Sequence, residues 1–215
     1  MANYVKMIDK AACITDLEEG MNEIKKLSEL NEEQQNQFMS VFVEGFHNVF
    51  SSISKDKEKL HKLFKFSFDY DRAYAFLQDG EAVGILGLSD YQARPIKLNK
   101  EVFMEIIGGF GGKIAYKQVC KALEKPHSIQ LDEIYIDYIA TNPKYRSMGI
   151  GTQLIEFVHD TLGYKHLELE VFSKNTRAIE LYKRLGFRVI AEKKDFMMML
   201  NGFGKRITMR LDTGV

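Results

Sequence analysis

The sequence predicts an α/β fold built around a mixed sheet. Three observations carry this. Residues 72–77 and 82–88 are apolar runs flanking Gln78-Asp79-Gly80-Glu81, and an Asp-Gly pair between two such runs signals a β-hairpin. Residues 132–191 run strand, helix, strand, helix, strand by their apolar periodicity, and residues 205–211 alternate as a last strand.

The chain has the material for such a fold. It holds 215 residues, 45% hydrophobic and 28% charged, which suits one domain and excludes a disordered tail. Thirty Lys and Arg balance thirty Asp and Glu, so no basic excess points to nucleic acid or an anionic membrane. Cys13 and Cys120 are too few for a disulfide framework and lack metal-ligand spacing. The first residues hold no apolar run of signal-peptide length, and no uncharged stretch approaches the roughly 18 residues of a membrane span. The expectation is a cytoplasmic protein with no nucleic-acid, membrane or metal partner.

Residues 1–20 are weakly patterned and read as an N-terminal extension to a single domain over 21–215. Residues 24–30 are a candidate first strand. Asn31 then reads as a helix cap with Gln34 reaching back, and Phe38, Val41, Phe42, Gly45, Phe46, Val49 and Ile53 follow one helical face. A second helix over about 55–66 carries Leu60, Leu63 and Phe64 on one side, with its lysines on a solvated face. Beyond the hairpin and Pro95, residues 99–125 are a helical insertion, broken at Gly108 to Gly112 and stopped by Pro126. In the strand over 132–140, Ile134, Ile136 and Tyr138 are expected on one face, with Glu133, Tyr135 and Asp137 on the other. Helix 152–162 closes at Gly163, and strand 167–171, helix 176–185 and strand 187–191 follow. Met197, Met198 and Met199 read as a loose apolar contact, and His47, His61 and His159 as surface or half-buried.

The chemistry concentrates where the strand over 132–140 leaves through a loop into a helix at Arg146-Ser147-Met148-Gly149-Ile150-Gly151-Thr152. Glycines there let backbone N–H groups crowd round a ligand, and a helix N-terminus adds free donors and partial positive charge. A phosphate or pyrophosphate is the natural guest, with Arg146 at the rim. A dinucleotide fingerprint fails because Leu154 stands where its third glycine belongs. A P-loop around Gly112-Lys113 fails because Ile107 and Ile114 occupy two of its required positions. An acyl-CoA site remains.

Arg146-Ser147-Met148-Gly149-Ile150-Gly151 resembles the Arg/Gln-x-x-Gly-x-Gly/Ala signature of the GNAT superfamily of acyl-CoA-dependent N-acyltransferases. Asn175 to Phe187 resembles the family's second signature, Asn-x-x-Ala-x-x-x-Tyr-x-x-x-Gly-Phe, at Asn175, Ala178, Tyr182, Gly186 and Phe187. The clear match covers residues 132–187. The resemblance implies a mixed, mostly antiparallel sheet whose central strands, at 139–141 and 167–172, splay apart. It implies acetyl-CoA as co-substrate and a direct transfer to a primary amine, small or peptidic, with no covalent enzyme intermediate.

It also implies roles residue by residue. Backbone amides from Met148 to Thr152 bind the pyrophosphate, beside Arg146, Ser147, Gly149, Ile150 and Gly151. Ile139, Ala140 and Thr141 pair with the pantetheine arm, and one of their amides polarises the thioester carbonyl. Asn175 holds the pantetheine or the local backbone, and Tyr182 protonates the departing thiolate. The general base is expected at Glu133 with Asp137 on the same face, or in a water chain. Plain alternatives stand beside these: Tyr182 as core packing, Glu133 and Asp137 as solvated or paired carboxylates. Ser147 departs from the family's usual glycine. The insertion over 99–125 is a lid, an acceptor-pocket wall, a homodimer face or a packed hairpin. A non-catalytic acyl-CoA sensor and a protein lysine or N-terminal acetyltransferase are the rival functions.

Overall fold

The computed structural model describes residues 22–213; the expected extension over 1–20, with Cys13, lies outside them. The first strand, β1, is Asn22–Lys26, and a 3-10 turn at Leu27–Glu29 takes the rest of the expected strand. Helix α1, Glu32–Phe50, starts where its residue types require: Asn31 Oδ1 accepts from the Gln34 N–H at 2.9 Å and Gln34 Oε1 accepts in return. Its face buries Phe38, Val41 and Phe42. Helix α2, Lys57–Phe64, is capped by Asp56 and buries Leu60, Leu63 and Phe64. The hairpin forms as β2, Ala73–Gln78, and β3, Glu81–Ser89.

Residues 99–125 form a helical hairpin: α3, Lys100–Ile107, capped by Asn99, and α4, Gly109–Leu123, meeting at Gly108. Then come β4 (Glu133–Thr141), α5 (Ile150–Leu162), β5 (His166–Phe172), α6 (Thr176–Arg184), β6 (Arg188–Lys193), α7 (Phe196–Leu200) and β7 (Arg206–Asp212). The seven strands of the described residues lie in the order β1-β2-β3-β4-β5-β7-β6, antiparallel throughout except for β4 beside β5. Among the described residues, no helix is long and apolar enough to cross a membrane.

Each face of the sheet holds a core. On one, α1 to α4 cover an aromatic cluster in which Phe42 packs against Phe46, Phe50, Phe64, Phe68 and Tyr138 at centroid distances of 4.9–5.7 Å. On the other, α5 and α6 cover Ile134, Ile136, Leu167, Leu169 and Met209. Each such large apolar side chain, fully buried, contributes about 1.5–3 kcal/mol.

Here the structure corrects the strand reading. Gly87 pairs with Tyr138 but Leu88 pairs with Ile136, so Asp137 is one residue too many for its partner strand. This β-bulge reverses the alternation: Ile134 and Ile136 face the α5 core, whereas Tyr138 faces the α1 core. The ring of Tyr138 lies over Gly87, where a Cβ would stand 2.1 Å from it, so only glycine fits. Nothing in the alternation of apolar residues marks a bulge. The Met197 to Met199 segment also differs from expectation, forming α7 with Phe196, Met197, Met199 and Leu200 exposed.

Candidate functional site

β4 pairs with β5 only from Glu133 to Ile136, against His166 to Leu169. Beyond that the two strands part, while β4 remains paired with β3 as far as Thr141. One edge of the backbone over 137–141 therefore has no strand beside it. This is the splay expected between 139–141 and 167–172.

The loop after β4 leads from this opening into α5. Asn142 Oδ1 accepts from the Lys144 N–H at 3.1 Å and turns the chain into a 3-10 segment at Pro143–Tyr145. Ser147 then takes a left-handed φ of 69°, and Gly149 one of 79° as the N-cap of α5. A Cβ at Gly149 would strain that backbone. No side chain caps the helix, so its first-turn N–H groups keep no side-chain acceptor, and Ser147, Met148 and Gly149 are exposed beside them. The arrangement presents unpaired donors and the positive end of the helix dipole to solvent, which fits an anionic diphosphate.

The second signature folds against the first. Arg177, in the first turn of α6, donates from Nη2 to Ser147 Oγ at 3.0 Å. Gly151 of α5 lies close to Leu181 of α6. Asn175 caps α6, its Oδ1 accepting from the Ala178 N–H at 3.3 Å, so it holds local backbone. Tyr182 is 6% exposed and packs on Phe187 at 5.7 Å. Burial pushes its phenol up to about 12, so it keeps its proton across the physiological range.

The three predicted groups of residues do not all converge. Ile139, Ala140 and Thr141 line the open edge of β4, next to the helix start that carries Arg146 to Thr152. Glu133 is elsewhere: it lies in the paired stretch, six residues before Ile139 and roughly 20 Å along the strand. Its carboxylate is 7% exposed and spoken for, with Oε1 accepting from Arg210 Nη2 at 2.9 Å and Oε2 from the Gln130 N–H at 2.8 Å. Asp137 stands where the splay begins, but its carboxylate accepts from Ser89, Arg94 and His127.

The carboxylate that the structure does bring to the opening is Glu170. It is the first β5 residue beyond the paired stretch, is exposed, and shares Arg206 with Asp195, at 3.1 and 2.9 Å. The alternation of Leu167, Leu169 and Val171 against Glu168 and Glu170 was the available signal, since it places Glu170 on the face away from α5 and α6. Among the described residues, no group of three or more His, Cys, Asp or Glu is arranged to hold a metal ion.

Comparison with known proteins agrees with this geometry. Residues 36–187 match the model of the acetyltransferase (GNAT) family. Over 86 residues the chain is 35% identical to the [ribosomal protein bS18]-alanine N-acetyltransferase of Escherichia coli K12, spanning 39% of this chain and 58% of that protein. Over 62 residues it is 39% identical to the thialysine N-epsilon-acetyltransferase of Bos taurus, spanning 27% and 36%. The chain thus matches less than two thirds of the length of these relatives. The crystal structure of the Escherichia coli S18-alanine enzyme superposes with a TM-score of 0.53 at 19% identity, covering 91% of this chain and 96% of that one. An N-acetyltransferase from Staphylococcus aureus Mu50 gives 0.54 at 15%, covering 88% and 100%. At such identities the superpositions establish the shared fold.

Proposed function

The chain belongs to the GNAT acetyltransferase family, and on that premise we propose that it transfers an acetyl group from acetyl-CoA to a primary amine by direct attack. The observation that carries this reading is the parting of β4 from β5 immediately before an uncapped helix start. Acetyl-CoA supplies the activated thioester.

The chain's own groups do the rest. First-turn amides of α5, from Met148 to Thr152, bind the diphosphate, with Arg146 alongside. The open edge of β4 over 139–141 orients the pantetheine amides by strand-like hydrogen bonds, and one of its N–H groups polarises the thioester carbonyl. An alkylamine arrives mostly as ammonium and must lose a proton before attack. Glu170, exposed at the opening, takes that proton directly or through water. Tyr182, neutral to about pH 12, gives a proton to the departing sulfur. Asn175 and Arg177 keep α6 and the diphosphate loop in register.

A polypeptide amine is the second reading of the acceptor. The face of β5 and β7 away from α5 carries Glu168, Glu170, Arg206, Thr208 and Arg210, all at least partly exposed, which suits an extended polar substrate. The curated relatives span both classes, one named for a ribosomal-protein alanine and one for thialysine.

Thiol release from acetyl-CoA, measured with a panel of small amines and of peptides with free N-termini or lysines, tests the proposal. Amine-dependent release that falls about 100-fold in Tyr182→Phe, at unchanged coenzyme A affinity, is the expected result. Tight binding of acetyl-CoA with no turnover over the whole panel would make the protein a sensor instead.

A further inference from the structure

We propose that Asp137 and Arg94 form a clamp tying the α3–α4 hairpin to the bulge in β4, which makes Arg94 a positioning residue for the backbone that faces the thioester. The clamp stands on geometry alone; its consequence for turnover rests on the acetyltransfer reading above.

Asp137 is the extra residue of the bulge, and pairing between β4 and β5 ends one residue before it. Its side chain is 3% exposed, and its donors come from three separate parts of the chain. Ser89 Oγ donates from the end of β3, Arg94 Nη2 from the segment before α3, and His127 Nε2 from the segment leaving α4, at 3.1 Å. A carboxylate this buried is costly unless its lone pairs are met, so the three partners hold it, and the bulged backbone with it, in one place.

Arg94 carries the connection outward. While Nη2 binds Asp137, Nη1 donates to the carbonyls of Ala122 at 2.7 Å and Lys125 at 3.4 Å. The first is a carbonyl in the last turn of α4, which the helix itself leaves without a donor, and the second lies just beyond the helix end. The planar guanidinium fork spans strand and helix end at once, a geometry that a lysine ammonium does not reproduce. His127 adds a second contact between the same parts, its ring stacked on Tyr135 of β4 at 3.6 Å and 19°. A separate tether, Leu98 N–H to Glu124 Oε1 at 2.7 Å, fixes α4 to its own connecting segment without reaching β4.

The insertion is therefore coupled to the open edge. A shift of α4 pulls on Arg94 and through Asp137 on the bulge, where β4 leaves β5. Just beyond it, Ile139 to Thr141 carry the amides assigned to the thioester and the pantetheine.

Hydrogen exchange on the full chain without ligand tests the coupling directly. In Arg94→Lys and in Asp137→Asn, exchange is expected to quicken by at least about fivefold in both 119–125 and 138–141, with α5 unchanged. Glu124→Ala, which cuts only the other tether, is expected to quicken 119–125 alone. If Arg94→Lys loosens α4 but leaves 138–141 as in the wild type, the clamp is refuted. It is equally refuted if Glu124→Ala loosens both segments, since packing rather than Arg94 would then connect them. Should Asp137→Asn fail to fold, Arg94→Lys carries the test. In turnover, Arg94→Lys is expected to lower kcat about tenfold with coenzyme A affinity within twofold. An unchanged kcat, or equal losses in both, overturns the positioning role. A wild type that acetylates no amine would sink the proposed function and leave the exchange result standing.

Discussion

From Glu133 to Ile136, β4 has β5 along one edge; from Asp137 to Thr141, that edge faces no strand. Acidic side chains at the two ends meet different fates. At the closed end Glu133 is buried and bound to Arg210 and the Gln130 amide, so its charge is consumed in holding strands together. At the open end Asp137 is buried too, held by Ser89, Arg94 and His127, and the exposed carboxylate belongs to β5, at Glu170, where it is paired with Arg206. A single inserted residue, Asp137, separates the two regimes. The lesson is that a carboxylate on a strand is read correctly only when its neighbours in the fold are known, because they decide whether it is buried among donors or stays exposed.

The sharpest way to test the contrast is to alter the open end. Tyr182→Phe removes the proposed proton donor and is expected to lower kcat about 100-fold while the fold, which buries the ring, stays intact. Because burial raises the phenol to about 12 from 10.0, wild-type kcat should show no alkaline fall from this group below about pH 11. A raised acid pKa means that the folded state holds the proton more tightly. Its share of stability is therefore full below pH 10 and is lost as pH climbs toward 12, a trend that thermal melts of Tyr182→Phe should not share.

Glu170→Gln comes next. Its expected cost is about tenfold in kcat/KM at neutral pH, shrinking as pH approaches the pKa of the free amine, where less deprotonation is required. A pH-rate profile parallel to wild type would return the base to water. Glu133→Ala addresses the closed end and should do the reverse. It leaves the Gln130 N–H without its acceptor and removes one of two carboxylates at Arg210, the other being Glu168 at 2.7 Å. A loss of about 1–3 kcal/mol in stability, read by denaturant melts, with kcat within twofold, is expected. A large drop in kcat at unchanged stability would erase the distinction between the two ends.

The smallest effect is expected at Ser147→Gly. It relieves a non-glycine residue at φ 69°, worth about 1 kcal/mol, and gives up the bond from Arg177. The opposing terms should leave the KM for acetyl-CoA within about threefold. A tenfold rise would show that the bridge between the two signatures matters more than the strain it accompanies.

Much was legible from residue types alone. The cap at Asn31, the hairpin at Asp79-Gly80 and the glycine entry to a helix follow from local backbone preferences, and the periodicity of α5 and α6 from the faces they bury, although α5 begins at Ile150 rather than 152 and the break expected over 108–112 narrows to Gly108. The loop proposed to hold the diphosphate was readable for the same reason, since its free main-chain amides are placed by a local turn. The parting of β4 from β5 was expected only through the family resemblance, and the bulge at Asp137, the capture of Glu133 and the contacts of Arg94 were not legible at all. They depend on partners distant in the chain: Arg94 lies 43 residues from Asp137, and Arg210 lies 77 from Glu133. The sequence by itself thus determined which loop brings glycines into a helix start. Tertiary structure alone decided which carboxylates are buried and which stay exposed, because long-range strand pairing assigns every charged side chain on a sheet its neighbours.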